Sequence, residues 1–349
     1  MKGKHVLITG HTGFKGSWLI AMLHHQGARV SGIALDPAPD GVFVKAALNE
    51  LLTHDIRQDI RDSTELTKAF QKISPDVVIH LAAQPLVLAS YDKPKETYET
   101  NVIGTLNVLE AVEATPSVEV TLIITTDKVY RQETGVEKAF VESDPLGAAD
   151  PYSTSKAMAD LLAQSWIASH SESKIAIARA GNVIGGGDVG ENRLLPDLLH
   201  AFQSGTTALL RNPESVRPWQ HVLDCLGGYI SLAESLLSGE AESGPFNFGP
   251  DPRNPLRVIE VAEIAQSVWG DLSSWRPEPK DQPQESQFLI LDSTKSQDVL
   301  GWSERLTSRE AIAWSADWAG RVFQGESALQ LTLDQILSWS NLGPRHLAP

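Results

Sequence analysis

Near its start the chain reads HVLITGHTGFKG, over residues 5–16. The apolar, partly β-branched run 5–9 predicts a buried strand, and the apolar spacing that follows predicts a helix over 17–26. Between them, Gly10, Gly13 and Gly16 have the spacing G-x-x-G-x-x-G. Glycines in such a turn let the backbone approach a pyrophosphate, whose charge meets the free N–H groups of the helix start. This arrangement predicts a dinucleotide site; the alternative is an ordinary tight turn.

Short apolar runs and longer helical patterns continue to alternate through the first half of the chain. Further strands are predicted over 29–35, 76–81 and 118–125, and further helices over 97–114 and 153–169. Strands separated by helices predict an α/β fold, a Rossmann-type doubly wound parallel sheet with helices on both faces. From Gly181 onward the alternation fades. We therefore expect a dinucleotide-binding domain over 1–184, rejoined by about residues 220–250, and a smaller mixed α/β C-terminal substrate lobe that makes up most of 185–349.

The net charge of −15, from 29 basic and 44 acidic residues, excludes whole classes of partner. Binding to nucleic acid or to an anionic membrane needs a positive field, so neither partner is expected. The only cysteine, Cys225, excludes an intramolecular disulfide and a thiolate-rich zinc site, and no metal is expected. No apolar stretch approaches the roughly 20 residues of a membrane-spanning helix, and no signal peptide is recognised. These features predict a cytoplasmic protein.

Asp36 ends the second predicted strand, twenty residues after Gly16. A carboxylate at this point of a dinucleotide fold accepts the ribose hydroxyls of the adenosine half. Because it would repel a 2′-phosphate, NAD rather than NADP is the predicted cofactor. The alternative is a solvated loop carboxylate before Pro37. Asp59 and Ile60, which follow a third short element, are predicted to contact the adenine.

The string YSTSK places Tyr152 and Lys156 four residues apart at the start of a predicted helix, and hence on one face. A nearby ammonium favours the phenolate, so the tyrosine could remove a proton from a carbinol. The pair follows a dinucleotide loop by about 140 residues. In this combination the sequence resembles the extended short-chain dehydrogenase/reductase family, and that resemblance implies a tightly bound NAD that is oxidised and reduced within one catalytic cycle.

Thr126, Asp127 and Lys128 follow the predicted strand 118–125. In the extended family the residue at Thr126 helps hold the sugar hydroxyl near the tyrosine. Nucleotide-sugar epimerases usually lack an acid–base pair after it, whereas the Asp-Lys pair resembles the CDP-glucose 4,6-dehydratase subgroup. The strings AAQPLV (82–87), RAGNVIGGGD (179–188) and RPWQHVL (217–223) resemble the same subgroup. Leu88 departs from it, since the subgroup usually has Arg there. Without the resemblance, Asp127 and Lys128 would read as a surface ion pair.

The resemblance implies two sets of binding residues. The cofactor set comprises Gly10, Thr12, Gly13, Phe14, Lys15, Gly16, Asp36, Asp59, Ile60, Leu81, Ala82, Ala83, Asn101, Thr125, Tyr152 and Lys156. The substrate set comprises Gln84, Asn182, Arg193, Arg211, Arg217 and His221. A diphosphate needs cations, which suits the planar guanidinium of arginine, although solvated arginines are the ordinary alternative. His221 could equally be a structural hydrogen-bonding residue.

The resemblance also implies a reaction, namely loss of water from a nucleotide-diphosphate sugar to give a 4-keto-6-deoxyhexose for deoxysugar biosynthesis. Tyr152 would take the C4 hydroxyl proton, Asp127 would protonate the leaving C6 hydroxyl, and Lys128 would remove the C5 proton. Members of the extended family pair through two helices, so a homodimer or a dimer of dimers is expected. The alternatives are a 4-epimerase or another 4,6-dehydratase of the same fold, a reductase that releases its cofactor, and a non-catalytic NAD-binding scaffold.

Overall fold

Seven parallel strands form the central sheet. The computed structural model describes residues 1–132, 138–251, 253, 255–270, 273–278 and 289–345. The strands, numbered along the chain, are β1 (His5–Thr9), β2 (Arg29–Ala34), β3 (His54–Arg57), β4 (Val77–His80), β5 (Val120–Thr126), β6 (Ala139–Phe140), β7 (Lys174–Ala180), β8 (Val183–Ile184), β9 (Thr207–Leu210), β10 (Val216–Arg217), β11 (Gln220–His221), β12 (Gly244–Phe248), β13 (Leu256–Arg257), β14 (Ser274–Pro277) and β15 (Ile290–Leu291).

The sheet has the strand order β12-β7-β5-β4-β1-β2-β3. The chain passes outward from β1 through β2 and β3, then returns to β4 on the other side of β1 and continues through β5, β7 and β12. Each neighbouring pair is parallel. In an open α/β sheet such a reversal leaves a crevice at the carboxyl ends of the strands, here between β1 and β4. The predicted doubly wound parallel sheet is confirmed.

Helices cover both faces of this sheet and build most of the rest of the molecule. They are α1 (Phe14–His25), α2 (Val42–Lys45), α3 (Ser63–Ile73), α4 (Val87–Asp92), α5 (Pro94–Tyr98), α6 (Gly104–Glu113), α7 (Pro151–Ser169), α8 (Leu194–Gln203), α9 (Val222–Ser238), α10 (Val258–Trp269), α11 (Thr294–Leu300), α12 (Ser308–Phe323) and α13 (Ala328–Asn341). Helix α1 begins three residues before the predicted helix, because the glycine turn itself supplies the helix start.

The helix predicted over 97–114 is divided in the structure. Helix α5 passes into a π-helical turn over Glu99–Ile103, and α6 follows it. The wider turn carries Asn101, whose side chain is buried against the chain that follows β4. At Gly104, which follows the π-helical turn, a Cβ atom would lie 2.5 Å from Cδ1 of Ile60, so a larger residue there would displace the Ile60 side chain. Hydrophobic periodicity does not report such a local widening, because the apolar spacing continues through it.

The second half of the chain adds helices and short strand pairs beside the carboxyl edge of the sheet. Pairs β9–β14 and β10–β13 lie outside the central sheet, whereas β12 extends it beside β7. One apolar cluster joins the two regions and includes Trp18 and Trp318, whose ring centroids are 6.4 Å apart. A domain boundary at residue 184 stays a prediction. Within the described residues, no helix combines the length and apolar character of a membrane span.

Candidate active site

A cavity of about 1300 Å³ lies at the carboxyl edge of the sheet. The segments that follow β1, β4, β5 and β7 form one side of it, and residues of the second half of the chain form the other. Every predicted catalytic, cofactor and substrate residue lines this cavity except Asn101 and His221. The strand topology thus brings together residues as far apart in the sequence as Gly10 and Arg217.

The glycine turn after β1 forms one end of the cavity. Gly10 has a φ of +75°, and a Cβ atom there would lie 2.7 Å from the backbone nitrogen of Ala82. A Cβ atom on Gly16 would lie 2.4 Å from the carbonyl oxygen of Gly10. Gly13 is the N-cap of helix α1 and offers no side chain to bond the N–H groups of the first turn. The residues of this turn line the cavity. This cradle fits the pyrophosphate of NAD.

Asp36 lines the cavity just after β2, and the ribose of the adenosine half is predicted to bind there. Its side chain is 92% exposed, and its Oδ1 atom lies 3.6 Å from Nε of Arg57. Thr12 donates a hydrogen bond to the carbonyl oxygen of Leu35 at 3.0 Å, which joins the glycine turn to the end of β2. Asp59 accepts hydrogen bonds from Arg61, and these bonds lower the pKa of the Asp59 carboxyl. The ribose and adenine contacts themselves stay predictions.

Asp127 is buried at the end of β5, with only 4% of its surface exposed. Its Oδ1 accepts a hydrogen bond from Oγ1 of Thr126 at 2.9 Å. A Cβ atom on Gly181 would lie 3.1 Å from the other carboxylate oxygen, so glycine gives Asp127 room beside β7. Burial raises the pKa of Asp127. Lys128 is half-buried and lines the same cavity. This burial argues against a solvated surface ion pair, the alternative that the sequence left open.

Tyr152 and Lys156 lie on the first two turns of α7, which begins one residue before Tyr152 and is capped by Asp150. The Lys156 ammonium donates to the carbonyl oxygen of Ile124 at 2.7 Å, and burial and the nearby Lys15 lower its pKa to about 8. Burial and the Asp127 carboxyl raise the pKa of Tyr152 to about 12. The Lys156 ammonium is engaged by this backbone carbonyl, and its effect on the Tyr152 phenolate stays a prediction.

Three arginines line the far side of the cavity. Arg193 donates to both carboxylate oxygens of Asp188, at 3.0 and 3.2 Å. Arg211 donates to Oδ1 of Asn192 at 2.8 Å, and Arg217 donates to the carbonyl oxygen of Val216 at 3.1 Å. These contacts orient the three guanidinium groups, and all three arginines still line the cavity. The partners of Arg193 and Arg211 were not predicted, although the string GGGD at 185–188 ends in one of them.

Two predicted site residues lie outside the cavity lining. The amide of Asn101 is used by the protein: its Oδ1 accepts from the backbone N–H of Gln84, and its Nδ2 donates to Oγ of Ser155. Asn101 therefore supports the segment that lines the site, and its direct contact with the cofactor stays a prediction.

The substrate role assigned to His221 is also not supported. The ring is fully buried, its Nδ1 accepts from the backbone N–H of Leu223, and it packs edge-on against Trp18 and Trp314. Burial lowers its pKa to about 3, so the ring is neutral. The string RPWQHVL contains both His221 and Arg217, and Arg217 does line the cavity. The sequence alone does not show which of the two faces the cavity.

Comparison with known proteins agrees with this geometry. The sequence profile of the NAD dependent epimerase/dehydratase family matches residues 6–249. The chain is 40% identical to a CDP-glucose 4,6-dehydratase of Salmonella typhimurium, over 99% of this chain and 98% of that protein. It is 26% identical to a dTDP-glucose 4,6-dehydratase of Xanthomonas campestris pv. campestris, over 89% and 92% of the two chains.

A solved structure shows the same fold. The dTDP-glucose 4,6-dehydratase of Bacillus anthracis, determined in complex with NAD, superposes with a TM-score of 0.76 at 20% identity. The match covers 91% of this chain and 97% of that chain. Together with the matched profile and the relative of 40% identity, the glycine cradle and the cavity lead to one conclusion. This chain belongs to the NAD dependent epimerase/dehydratase family.

Proposed function

We propose that the protein is an NAD-dependent CDP-glucose 4,6-dehydratase, which converts CDP-D-glucose into CDP-4-dehydro-6-deoxy-D-glucose. The observation that carries the proposal is the buried Asp127, next to Lys128, in the same cavity as Tyr152 and Lys156. An enzyme that only oxidises and reduces C4 has no need of the first pair, whereas loss of water needs an acid and a base. The relative of 40% identity supports CDP-glucose as the substrate.

The first half of the reaction is oxidation at C4. Bound NAD supplies a hydride acceptor at C4 and later a hydride donor at C6. Tyr152 accepts the proton of the C4 hydroxyl, and Thr126 can hold that oxygen by a hydrogen bond. Because Tyr152 is a phenol when its pKa is about 12, proton transfer requires added positive charge beside it, and Lys156 lies one helical turn away. The glycine cradle orients the cofactor for this step.

The second half removes water between C5 and C6. The new C4 ketone acidifies the C5 hydrogen, which Lys128 removes as a base. The raised pKa of Asp127 favours its protonated form, so it can donate a proton to the C6 hydroxyl as that group leaves as water. Reduction at C6 and return of a proton to C5 complete a reaction in which the cofactor is regenerated. The enzyme is therefore expected to keep its NAD tightly bound.

A panel of nucleotide sugars tests the proposed substrate. The purified protein is incubated with CDP-, dTDP-, GDP- and UDP-glucose, and formation of a 4-keto-6-deoxy sugar is followed by its absorbance in alkali. We expect CDP-glucose to be converted fastest. Faster conversion of another nucleotide sugar would contradict the proposed substrate while leaving the reaction class in place. Formation of a C4 epimer without loss of water would favour a 4-epimerase, the second candidate that the family allows.

The cofactor preference gives a separate prediction. Binding of NAD should be tighter than binding of NADP, and Asp36→Ala should reduce this preference by roughly 10-fold, about the value of one hydrogen bond to a charged group. Titration calorimetry of the cofactor-free protein measures both affinities. Asp40→Ala is the control, since Asp40 is an exposed aspartate of the same loop and does not line the cavity. Equal affinity for both cofactors in the unchanged protein would contradict the ribose assignment.

The assembly is proposed to be a homodimer or a dimer of dimers. Ile103, Met158 and Leu161 are large apolar side chains that are 48%, 45% and 52% exposed, and the last two share one face of α7. Such a face is suited to contact with a second copy. Leu161→Glu should shift the mass measured by light scattering toward the monomer. Leu337→Glu, at a similarly exposed leucine on α13, should not change the mass, and a monomeric unchanged protein would contradict the proposal.

A further inference from the structure

We propose that Asp160 and Arg179 form a positioning pair that holds Thr126, Asp127 and Lys128 in place against the helix that carries Tyr152 and Lys156. The inference rests on the proposed function, because it concerns the alignment of the two groups of catalytic residues. Asp160 and Arg179 do not line the cavity, so they would act through their neighbours. The argument depends on what each member of the pair contacts.

Asp160 joins helix α7 to strand β5. It follows Lys156 by four residues and Tyr152 by eight, so all three lie along one face of the helix. Its Oδ2 accepts a hydrogen bond from Oγ1 of Thr125 at 2.9 Å. Thr125 directly precedes Thr126. This hydrogen bond therefore fixes the position of helix α7 along strand β5.

Arg179, on the neighbouring strand β7, completes the arrangement. Its Nε and Nη2 atoms donate to the two carboxylate oxygens of Asp160 at 2.8 and 2.7 Å. Its Nη1 donates to the hydroxyl of Tyr130 at 2.8 Å, and that hydroxyl donates to Oδ1 of Asn247 at 2.7 Å. Thr125 and Tyr130 stand on either side of the segment 126–128. One buried ion pair thus holds the chain both before and after the proposed acid and base.

The burial of the pair favours positioning over simple stabilisation. Both side chains are fully buried, with 0% exposure. A buried ion pair contributes little net stability, because desolvation offsets the attraction, and apolar residues of similar volume would stabilise the fold as well. Apolar residues could not fix an orientation in this way: the bidentate contact between guanidinium and carboxylate fixes both planes and directs Oδ2 of Asp160 toward Thr125. We therefore expect its loss to affect catalysis more than binding.

Two variants remove the outer contacts and leave the buried charges paired. Thr125→Val deletes the hydroxyl that donates a hydrogen bond to Asp160. Tyr130→Phe deletes the hydroxyl that accepts a hydrogen bond from Arg179. Each should lower kcat by roughly 10- to 100-fold at saturating NAD, as expected for a small displacement of reacting groups, with KM for CDP-glucose changed less than twofold. Thr125→Ser should recover most of the kcat lost in Thr125→Val. Gln164→Leu is the matched control, because Gln164 donates to the same carboxylate from the same helix without reaching the strand.

Hydrogen–deuterium exchange of the protein without substrate gives a second measurement. Amides 126–130 should exchange faster in Thr125→Val and Tyr130→Phe than in the unchanged protein, and Gln164→Leu should not change them. The proposal is overturned if Thr125→Val keeps both the kcat and the exchange rates of the unchanged protein, or if Gln164→Leu loses as much as Thr125→Val. If no nucleotide sugar is converted, the proposed function fails, and the exchange rates still decide whether the pair holds the segment.

Discussion

Tyr152→Phe is expected to lower kcat by about 10³-fold, within the range of about 10²- to 10⁴-fold for a lost acid–base group. The change removes one oxygen from the cavity and leaves the ring, so binding of NAD and of the nucleotide sugar should persist. Because the C4 hydroxyl then has no proton acceptor, oxidation should not begin. Neither reduced nicotinamide nor exchange of the C5 hydrogen with solvent should be detected.

Tyr91→Phe is the matched control, since Tyr91 is 60% exposed and does not line the cavity. That variant should turn over at the rate of the unchanged protein. Single-turnover absorbance of reduced nicotinamide measures the first step directly, and melting temperatures confirm that each variant is folded. If Tyr152→Phe kept more than a tenth of the unchanged kcat, the tyrosine would not be the proton acceptor, and the role of Lys156 beside it would have to be assigned afresh.

Lys128→Ala should separate the two halves of the reaction. Oxidation at C4 should proceed, since Thr126, Tyr152 and Lys156 are untouched, but the C5 proton should remain. We expect enzyme-bound reduced nicotinamide to accumulate together with a 4-keto-hexose that keeps its C6 hydroxyl. Exchange of the C5 hydrogen with solvent deuterium, measured by mass spectrometry, should fall by at least about 10²-fold.

Two further variants frame the Lys128 result. Asp127→Asn keeps the shape of the side chain but removes the acidic proton, so C5 exchange should continue while loss of water slows. Lys138→Ala is the control for removal of a lysine from this region, because Lys138 is exposed and paired with Asp144. Dehydration at the normal rate by Lys128→Ala would remove that lysine from the mechanism and leave it a neighbour of Asp127.

Much of the fold could be predicted because its determinants are local. The glycine turn lies between a short apolar run and a helical pattern, and the alternation of such units is enough to indicate a doubly wound sheet. The start of α1 was placed three residues late, since glycines at a helix start also signal a turn. The π-helical turn at Glu99–Ile103 was missed because it depends on contacts of Asn101 and Gly104 with distant segments.

For the site too, residues in local motifs could be predicted and residues that depend on distant contacts could not. The catalytic residues that stand in short strings were predicted and all line the cavity, namely Thr126, Asp127, Lys128, Tyr152 and Lys156. His221 is buried outside the cavity lining, and the sequence left both readings open because a buried structural histidine and a substrate contact look alike there. Asp160 and Arg179 were not singled out as site residues, since a pair nineteen residues apart forms no motif until helix α7 packs against strand β7. The four-residue spacing from Lys156 to Asp160 was the one signal that could have indicated the helix face.

The path of a single hydrogen tests the central proposal most directly. CDP-glucose that carries deuterium at C4 is converted by the purified protein without added cofactor, and the product is examined by NMR and mass spectrometry. The proposed reaction predicts a product lighter than its substrate by one water molecule, with the deuterium at C6, because the hydride that leaves C4 returns to the same sugar. Deuterium retained at C4 of an epimer, or lost from the sugar altogether, would contradict a 4,6-dehydratase.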